Sequence, residues 1–138
     1  MIQRIQSVWL LLASIFDAIT FRFPFYIGDW KNDTVQATID LDAKLTTPLT
    51  ILTILTGVLA FVTIFLFNNR KLQLRLTYAG MLLSVVLLVL YFLEIGNFYN
   101  GDMALWCLFY FAILLFYVLA ARGIRNDQKL IRSLDRLR

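Results

Sequence analysis

The chain contains no histidine and only one cysteine. With no imidazole and a lone thiol, Cys107, the ordinary zinc and haem ligand sets cannot be assembled, a thiol metal site cannot form, and neither can an intrachain disulfide. Ser14 and Ser84 have no histidine to activate them, and no nucleophile–base pair, metal-ligating cluster or glycine-rich phosphate loop is visible. No catalytic residue, metal or cofactor is therefore assigned. A two-carboxylate mechanism from Asp17 and Glu94 is the one enzymatic arrangement left. Charge is scarce as well, at 16% of residues, against 60% hydrophobic residues and a mean hydropathy of +0.74 over 138 residues. No segment is left to bury a separate soluble core, so the chain is read as one membrane domain.

What is present is four long apolar runs, Ile5 to Phe21, Pro48 to Phe67, Leu74 to Leu93 and Met103 to Ala121. Each is near the ~20 residues that cross a ~30 Å hydrocarbon layer. The expected fold is an all-α membrane protein, an antiparallel bundle of four transmembrane helices over residues 1–121, with an external loop at about 22–47 and a tail over 122–138. Assigning the gaps alternately to two faces places Arg4, Arg70, Lys71, Arg75, Arg122, Arg125, Lys129, Arg132, Arg136 and Arg138 on one side, against Arg22, Lys31 and Lys44 on the other. By the positive-inside rule both termini are cytoplasmic. The net charge of +4 thus reflects orientation and anionic lipid rather than nucleic acid, whose interleaved aromatics and long basic groove are missing. Val8 to Phe16 has the length of a secretory signal core, but Asp17, Phe21, Phe23 and Phe25 follow where a small-x-small site belongs, so the first run is expected to be retained.

In the first loop, Phe21, Phe23, Phe25 and Ile27 alternate, as do Val35, Ala37, Ile39 and Leu41 against Thr34, Gln36, Thr38, Asp40 and Asp42. With Asp29 to Asp33 as a polar turn, this predicts a small external β-hairpin. The plainer alternative is that Phe23, Phe25, Tyr26 and Trp30 form an interfacial aromatic belt. Thr46 or Thr47 is expected to cap the second helix, with Pro48 in its first turn, and Asp102 to cap the fourth. Thr50, Thr53, Gly57 and Ala60 make a small-residue stripe on the second helix, and Thr77, Gly80 and Ser84 a similar one on the third. Such stripes allow close helix approach in lipid, and they are expected to face each other or the first helix. A substrate path lined by the threonines is the other reading. On the fourth helix, Trp106, Phe109, Tyr110, Phe111, Phe116 and Tyr117 read as packing and lipid contact.

Gly123 permits a break, after which Ile124, Leu130, Ile131, Leu134 and Leu137 share one helical face and Arg125, Lys129, Arg132 and Arg136 occupy most of the rest. That is a basic amphipathic helix. It is suited to lie among anionic lipids of the inner leaflet or to dock on a cytoplasmic partner, and it serves at least as an orientation signal. Asp17 and Glu94 are ionisable groups inside apolar runs, which makes them functional suspects by default. At similar depth, they could share a polar pocket with Arg22, as a proton-coupled transporter would require. More simply, Glu94 reaches the interface and Asp17 bonds to Arg22 or a neighbouring hydroxyl.

Three segments carry a family likeness: Met1 to Gln6 followed by Leu10-Leu11-Leu12-Ala13; Asn69 to Leu76; and Arg122 to Arg125 with Ser133 to Arg138. Together they resemble a domain-of-unknown-function family of small bacterial four-helix inner-membrane proteins. The resemblance implies topology and compartment, and it supplies no activity or catalytic residue. The leading expectation is a noncatalytic accessory or scaffold subunit that binds a larger membrane assembly. The alternatives are a small transporter with Asp17 as coupling carboxylate and a lipid-binding envelope protein. The chain is similar to the small multidrug resistance transporters in having four helices and an acidic residue in the first. It departs from them in its basic bias and long first loop.

Overall fold

A computed structural model describes residues 3–31 and 38–135, with side chains at 5–31 and 38–133. Four helices follow the apolar runs: α1 (Gln3–Ile19), α2 (Thr47–Phe65), α3 (Arg70–Ile95) and α4 (Cys107–Asp135). Each packs on the next, and α1 closes the ring against α4. The ends that meet fix the directions. Gln73 on α3 donates to the Thr63 carbonyl of α2, Gln128 on α4 donates to the Arg70 carbonyl of α3, and Gln6 on α1 donates to Asp127 on α4. Neighbouring helices therefore run antiparallel, and the two ends of the described chain lie together.

Inside and outside are exchanged relative to a soluble bundle. Thr53, Thr56, Thr63, Thr77 and Ser84 are buried, while Ile51, Ile54, Val58, Leu82, Val89, Leu108 and Leu115 are exposed. Burying hydroxyls behind an apolar exterior is what a lipid solvent favours, because packing and hydrogen bonding, not hydrophobic surface, must then hold the helices together. Each of these hydroxyls also returns to its own helix, as in Thr53 Oγ1 to the Leu49 carbonyl at 2.7 Å and Thr77 Oγ1 to the Gln73 carbonyl at 2.8 Å. Three helices, α2 with its 3₁₀ extension to Asn68, α3 and α4, are long and apolar enough to cross a membrane. The expectation of four such helices is met only in part. With 17 residues, α1 reaches about 26 Å, somewhat short of a ~30 Å core. Its helix ends two residues before the apolar run does, because Phe21, Arg22 and Phe23 leave in tight turns onto the Ala18 and Ile19 carbonyls.

At the other end of the bundle lie β1 (Tyr26–Trp30), β2 (Thr38–Leu41) and β3 (Phe98–Met103), in the order β2-β1-β3. The antiparallel β1–β2 pair, with Tyr26 opposite Leu41 and Asp29 opposite Thr38, matches the expected hairpin. The remaining hairpin residues, Asn32, Asp33, Thr34, Val35, Gln36 and Ala37, lie outside the described residues. The third strand was not expected. Asn97, Asn100 and Gly101 read as a turn, but Gly101 pairs with Gly28, and a Cβ on either would strike the opposite backbone and the Tyr26 ring. These glycines serve close strand approach. Asp102, expected as a helix cap, instead pairs with Ile27 in β3, and α4 starts after the turn that joins Cys107 N to the Ala104 carbonyl. Thr46 does occupy the N-cap position of α2, with Pro48 just inside it, but makes no side-chain cap bond.

Beneath the sheet, Phe25 is fully buried against Tyr91, Tyr110, Leu49 and Leu87. Its ring meets those of Tyr91 and Tyr110 at centroid separations of 5.1 and 5.0 Å. The Tyr110 hydroxyl donates to the Phe23 carbonyl at 2.9 Å, tying α4 to the chain that leaves α1. The expected break at Gly123 is absent, since α4 continues through it to Asp135. A Cβ at Gly123 would lie 2.8 Å from Gln6 Cγ, so this glycine admits α1 rather than ending a helix.

Candidate functional site

Asp17 is 2% exposed and faces α2, where Thr56 Oγ1 donates to its Oδ1 at 3.2 Å. Its Oδ2 is buried with no partner among the described residues. Gly57 lets the two helices meet here, since a Cβ on it would sit 3.3 Å from Asp17 Cβ. The carboxylate borders a groove of about 300 Å³ between α1 and α2, lined also by Ser14, Phe21, Thr53 and Phe61. Neither Glu94 nor Arg22 joins it. Glu94 accepts from Asn97 Nδ2 at 2.8 Å at the end of its own helix, and Arg22 is exposed. The shared pocket of Asp17, Glu94 and Arg22 is thus not formed, because the ring order puts α1 beside α2 and α4 and leaves Glu94 on α3. Of the two partners considered for Asp17, the structure has the hydroxyl.

The small-residue stripes are packing seats, but not against each other. On α2, Thr53 and Ala60 are buried and Gly57 receives Asp17 of α1; on α3, Ser84 is buried and Gly80 receives the ring of Tyr117 from α4. A Cβ at Gly80 would lie 2.6 Å from Tyr117 Cζ. From that seat the Tyr117 hydroxyl crosses to the Thr56 carbonyl at 2.6 Å. One tyrosine therefore links α4, α3 and α2, at the same Thr56 whose hydroxyl holds Asp17.

At the opposite end from the sheet, Asp127 is 6% exposed. It accepts from Gln6 and stands 4.0 Å from Arg70 Nη1. The amphipathic pattern placed Ile124, Leu130 and Ile131 on a single apolar face. In the structure Ile124 is fully buried, whereas Leu130 and Ile131 are 50% and 39% exposed, and Asp127 holds the inward position between them. From Lys129 to Ser133 every described side chain is exposed. The side chain of Leu134 and all of Arg136 and Leu137 lie outside the described residues. Arg125 and Arg132 flank a wide groove between α3 and α4, where the Arg125 guanidinium lies 5.5 Å from the centre of the Tyr78 ring.

A family described as a domain of unknown function, DUF4293, matches residues 2–137. The chain belongs to that family. No curated protein and no solved structure matches it. The family match runs over both ends of the bundle, so the sheet and the basic end of α4 are within it. Among the described residues no group of three or more histidine, cysteine, aspartate or glutamate side chains is placed to hold a metal.

The apolar faces in the sequence did not point to Gln6, Asp127, Thr56 or Tyr78; Tyr117 was read as packing, as it is, but its bond to Thr56 was not foreseen. One signal for Asp127 was available: it falls three residues after Ile124, on the inward face, as the lone acid between Arg125 and Lys129. Thr56 had no such mark. It stands outside the small-residue stripe, and only the path of Asp17 and Tyr117 across the ring reveals it.

Proposed function

We propose that this DUF4293 protein is an integral protein of a bacterial inner membrane, with α1 as a fourth crossing and both termini cytoplasmic, and that it is a noncatalytic accessory or scaffold subunit. The supporting observation is the far end of α4. It continues as helix past the start of α3 with Lys129, Leu130, Ile131, Arg132 and Ser133 all exposed, which presents two apolar anchors between cations. Such a helix end suits a groove on a partner. An uninterrupted α4 has no joint at Gly123 for the segment to fold flat along a leaflet. Orientation follows from the basic bias, and the sheet would then be external.

Two experiments test this. In a Cys107→Ala background, Thr38→Cys and Lys129→Cys should label from opposite sides with a membrane-impermeant maleimide, the second only after the inner face is opened. Mild-detergent purification at native expression should yield a stoichiometric partner that is lost on changing Leu130, Leu134 and Leu137 to Ala; a lone monomer would overturn the scaffold reading.

A second reading, a proton-coupled transporter, draws on the unpartnered Oδ2 of Asp17 beside the α1–α2 groove. Proton-driven uptake in proteoliposomes that survives Asp17→Asn would eliminate it.

A further inference from the structure

The groove between α3 and α4 has a volume of about 720 Å³ and two different ends. Its walls are two helical stripes, Leu74, Tyr78 and Met81 on α3 and Val118, Arg122, Arg125, Lys129 and Arg132 on α4. The spacing of three and four residues along each puts every one of these side chains on a single face. Val118 and Met81 lie within the apolar runs, at acyl-chain depth. The cations begin where the α4 run ends and continue over ten residues, about 15 Å of helix. The surface therefore changes from apolar to cationic along its length, at the level where a bilayer changes from chains to headgroups.

The charge there is unbalanced. Among the described residues none of the four cations is in an ion pair, and no acidic side chain lines the groove. The neighbouring acid, Asp127, is turned inward to Gln6 and Arg70. Successive like charges three and four residues apart on a helix repel, at a cost an anion between them would relieve. The Tyr78 hydroxyl is also buried without a hydrogen-bond partner among the described residues. An apolar cradle, four unopposed cations and an unused hydroxyl describe an amphiphile with an anionic head.

We propose that the α3–α4 groove binds an anionic phospholipid, its phosphate held by Arg122 and Arg125, with Lys129 and Arg132 extending the cationic wall beyond it and one acyl chain lying along Val118 and Met81. The site does not require a protein on the exposed end of α4; it rests only on the reading that these helices cross a membrane.

The test uses the full chain in detergent micelles, titrated with phosphatidylglycerol or phosphatidylcholine and read by native mass spectrometry. The wild type should retain phosphatidylglycerol in preference to phosphatidylcholine. Arg122→Gln with Arg125→Gln should weaken retention roughly 30-fold, since each basic side chain beside an anionic headgroup contributes about fivefold. Lys71→Gln with Arg75→Gln removes the same charge outside this groove and should change retention little. Val118→Trp keeps all the charge and fills the apolar end, and it too should weaken retention, which covers the case in which the double arginine variant fails to fold. Equal retention of both lipids, equal losses from the two charge pairs, or complete displacement by millimolar inorganic phosphate would each overturn the proposal. Alkaline carbonate extraction separates the underlying premise: a protein released by carbonate is not integral, whereas one that stays in the membrane but retains no lipid refutes the site alone.

Discussion

Replacing Gly80 by Ala adds one methyl group to α3, and its effect should reach two other helices. The new Cβ would lie 2.6 Å from Tyr117 Cζ and 2.8 Å from its hydroxyl, so the aromatic ring must move. Movement of the ring breaks the 2.6 Å bond from the Tyr117 hydroxyl to the Thr56 carbonyl, which joins α4 to α2. Overpacking of this kind costs about 1–3 kcal/mol. The lost interhelical bond adds roughly 1 kcal/mol, and the better helix propensity of alanine returns about 1 kcal/mol. The net loss should be about 1–3 kcal/mol by these same magnitudes. Reversible unfolding in mixed micelles, followed by helical ellipticity, measures it. A double-mutant cycle isolates its source. In a Tyr117→Phe background the ring still clashes but no hydroxyl bond remains to be lost, so Gly80→Ala should cost less there by about 1 kcal/mol, the value of that bond. If Gly80→Ala is neutral or stabilising, the glycine merely weakens the helix and the tyrosine seat plays no part.

Gly57→Ala should be milder than Gly80→Ala in the same assay, because its Cβ would meet Asp17 Cβ at 3.3 Å, a contact that yields by a few tenths of an ångström. Thr56→Val removes the hydroxyl that donates to Asp17 and leaves a buried carboxyl group with no described partner, at a cost of about 1–3 kcal/mol. Thr56→Ser should restore most of it, and a failure to do so would point to packing instead. Phe25→Ala empties the centre of the cluster under the sheet and should cost about 3–5 kcal/mol, with protease sensitivity rising first around β1 and β2. Asp127→Ala strands Gln6 and Arg70, at about 1–3 kcal/mol, and should speed hydrogen exchange in the first turns of α1 more than near the sheet.

The helices were legible in the sequence because a lipid-facing helix has to be apolar over its whole exposed length, a strong signal that needs no partner to interpret. The β1–β2 pair was legible through its alternation. β3 was not: Phe98 to Met103 contains Asn100, Gly101 and Asp102, residues that favour turns in isolation, and it becomes a strand because Gly101 finds Gly28 across from it. Asp17 was visible as an acid in an apolar run with a hydroxyl among its expected partners, but which hydroxyl was not readable, since nothing local says that α1 meets α2 at Gly57 while Glu94 sits across the ring on α3. The same holds for Gly123, whose role as a seat for Gln6 depends on α1 closing against α4. Features set by a residue's own helix were readable, and those set by which helices are neighbours were not.

The two ends of the bundle are built from different materials, and this bears on where a partner or ligand would act. Beneath the sheet, aromatic rings interlock: Phe25 with Tyr91 and Tyr110, and Phe98 with Tyr26 and Trp30 at centroid separations of 5.3 and 5.0 Å. Strand pairing and ring packing act there over many contacts at once, and a local change at that end must disturb several elements. At the other end polar bonds join the helices beside the close packing at Gly123 and Ile124: Gln6 to Asp127, Gln73 to the Thr63 carbonyl and Gln128 to the Arg70 carbonyl. Interhelical hydrogen bonds in lipid contribute only about 0.6–2 kcal/mol each. A ligand that draws on Arg122, Arg125, Lys129 and Arg132 would engage the helix that carries Asp127 and Gln128, and so would act at the end where these polar bonds join the helices. Binding at the basic end would therefore bear on how α4 meets α1 and α3, and not on the sheet.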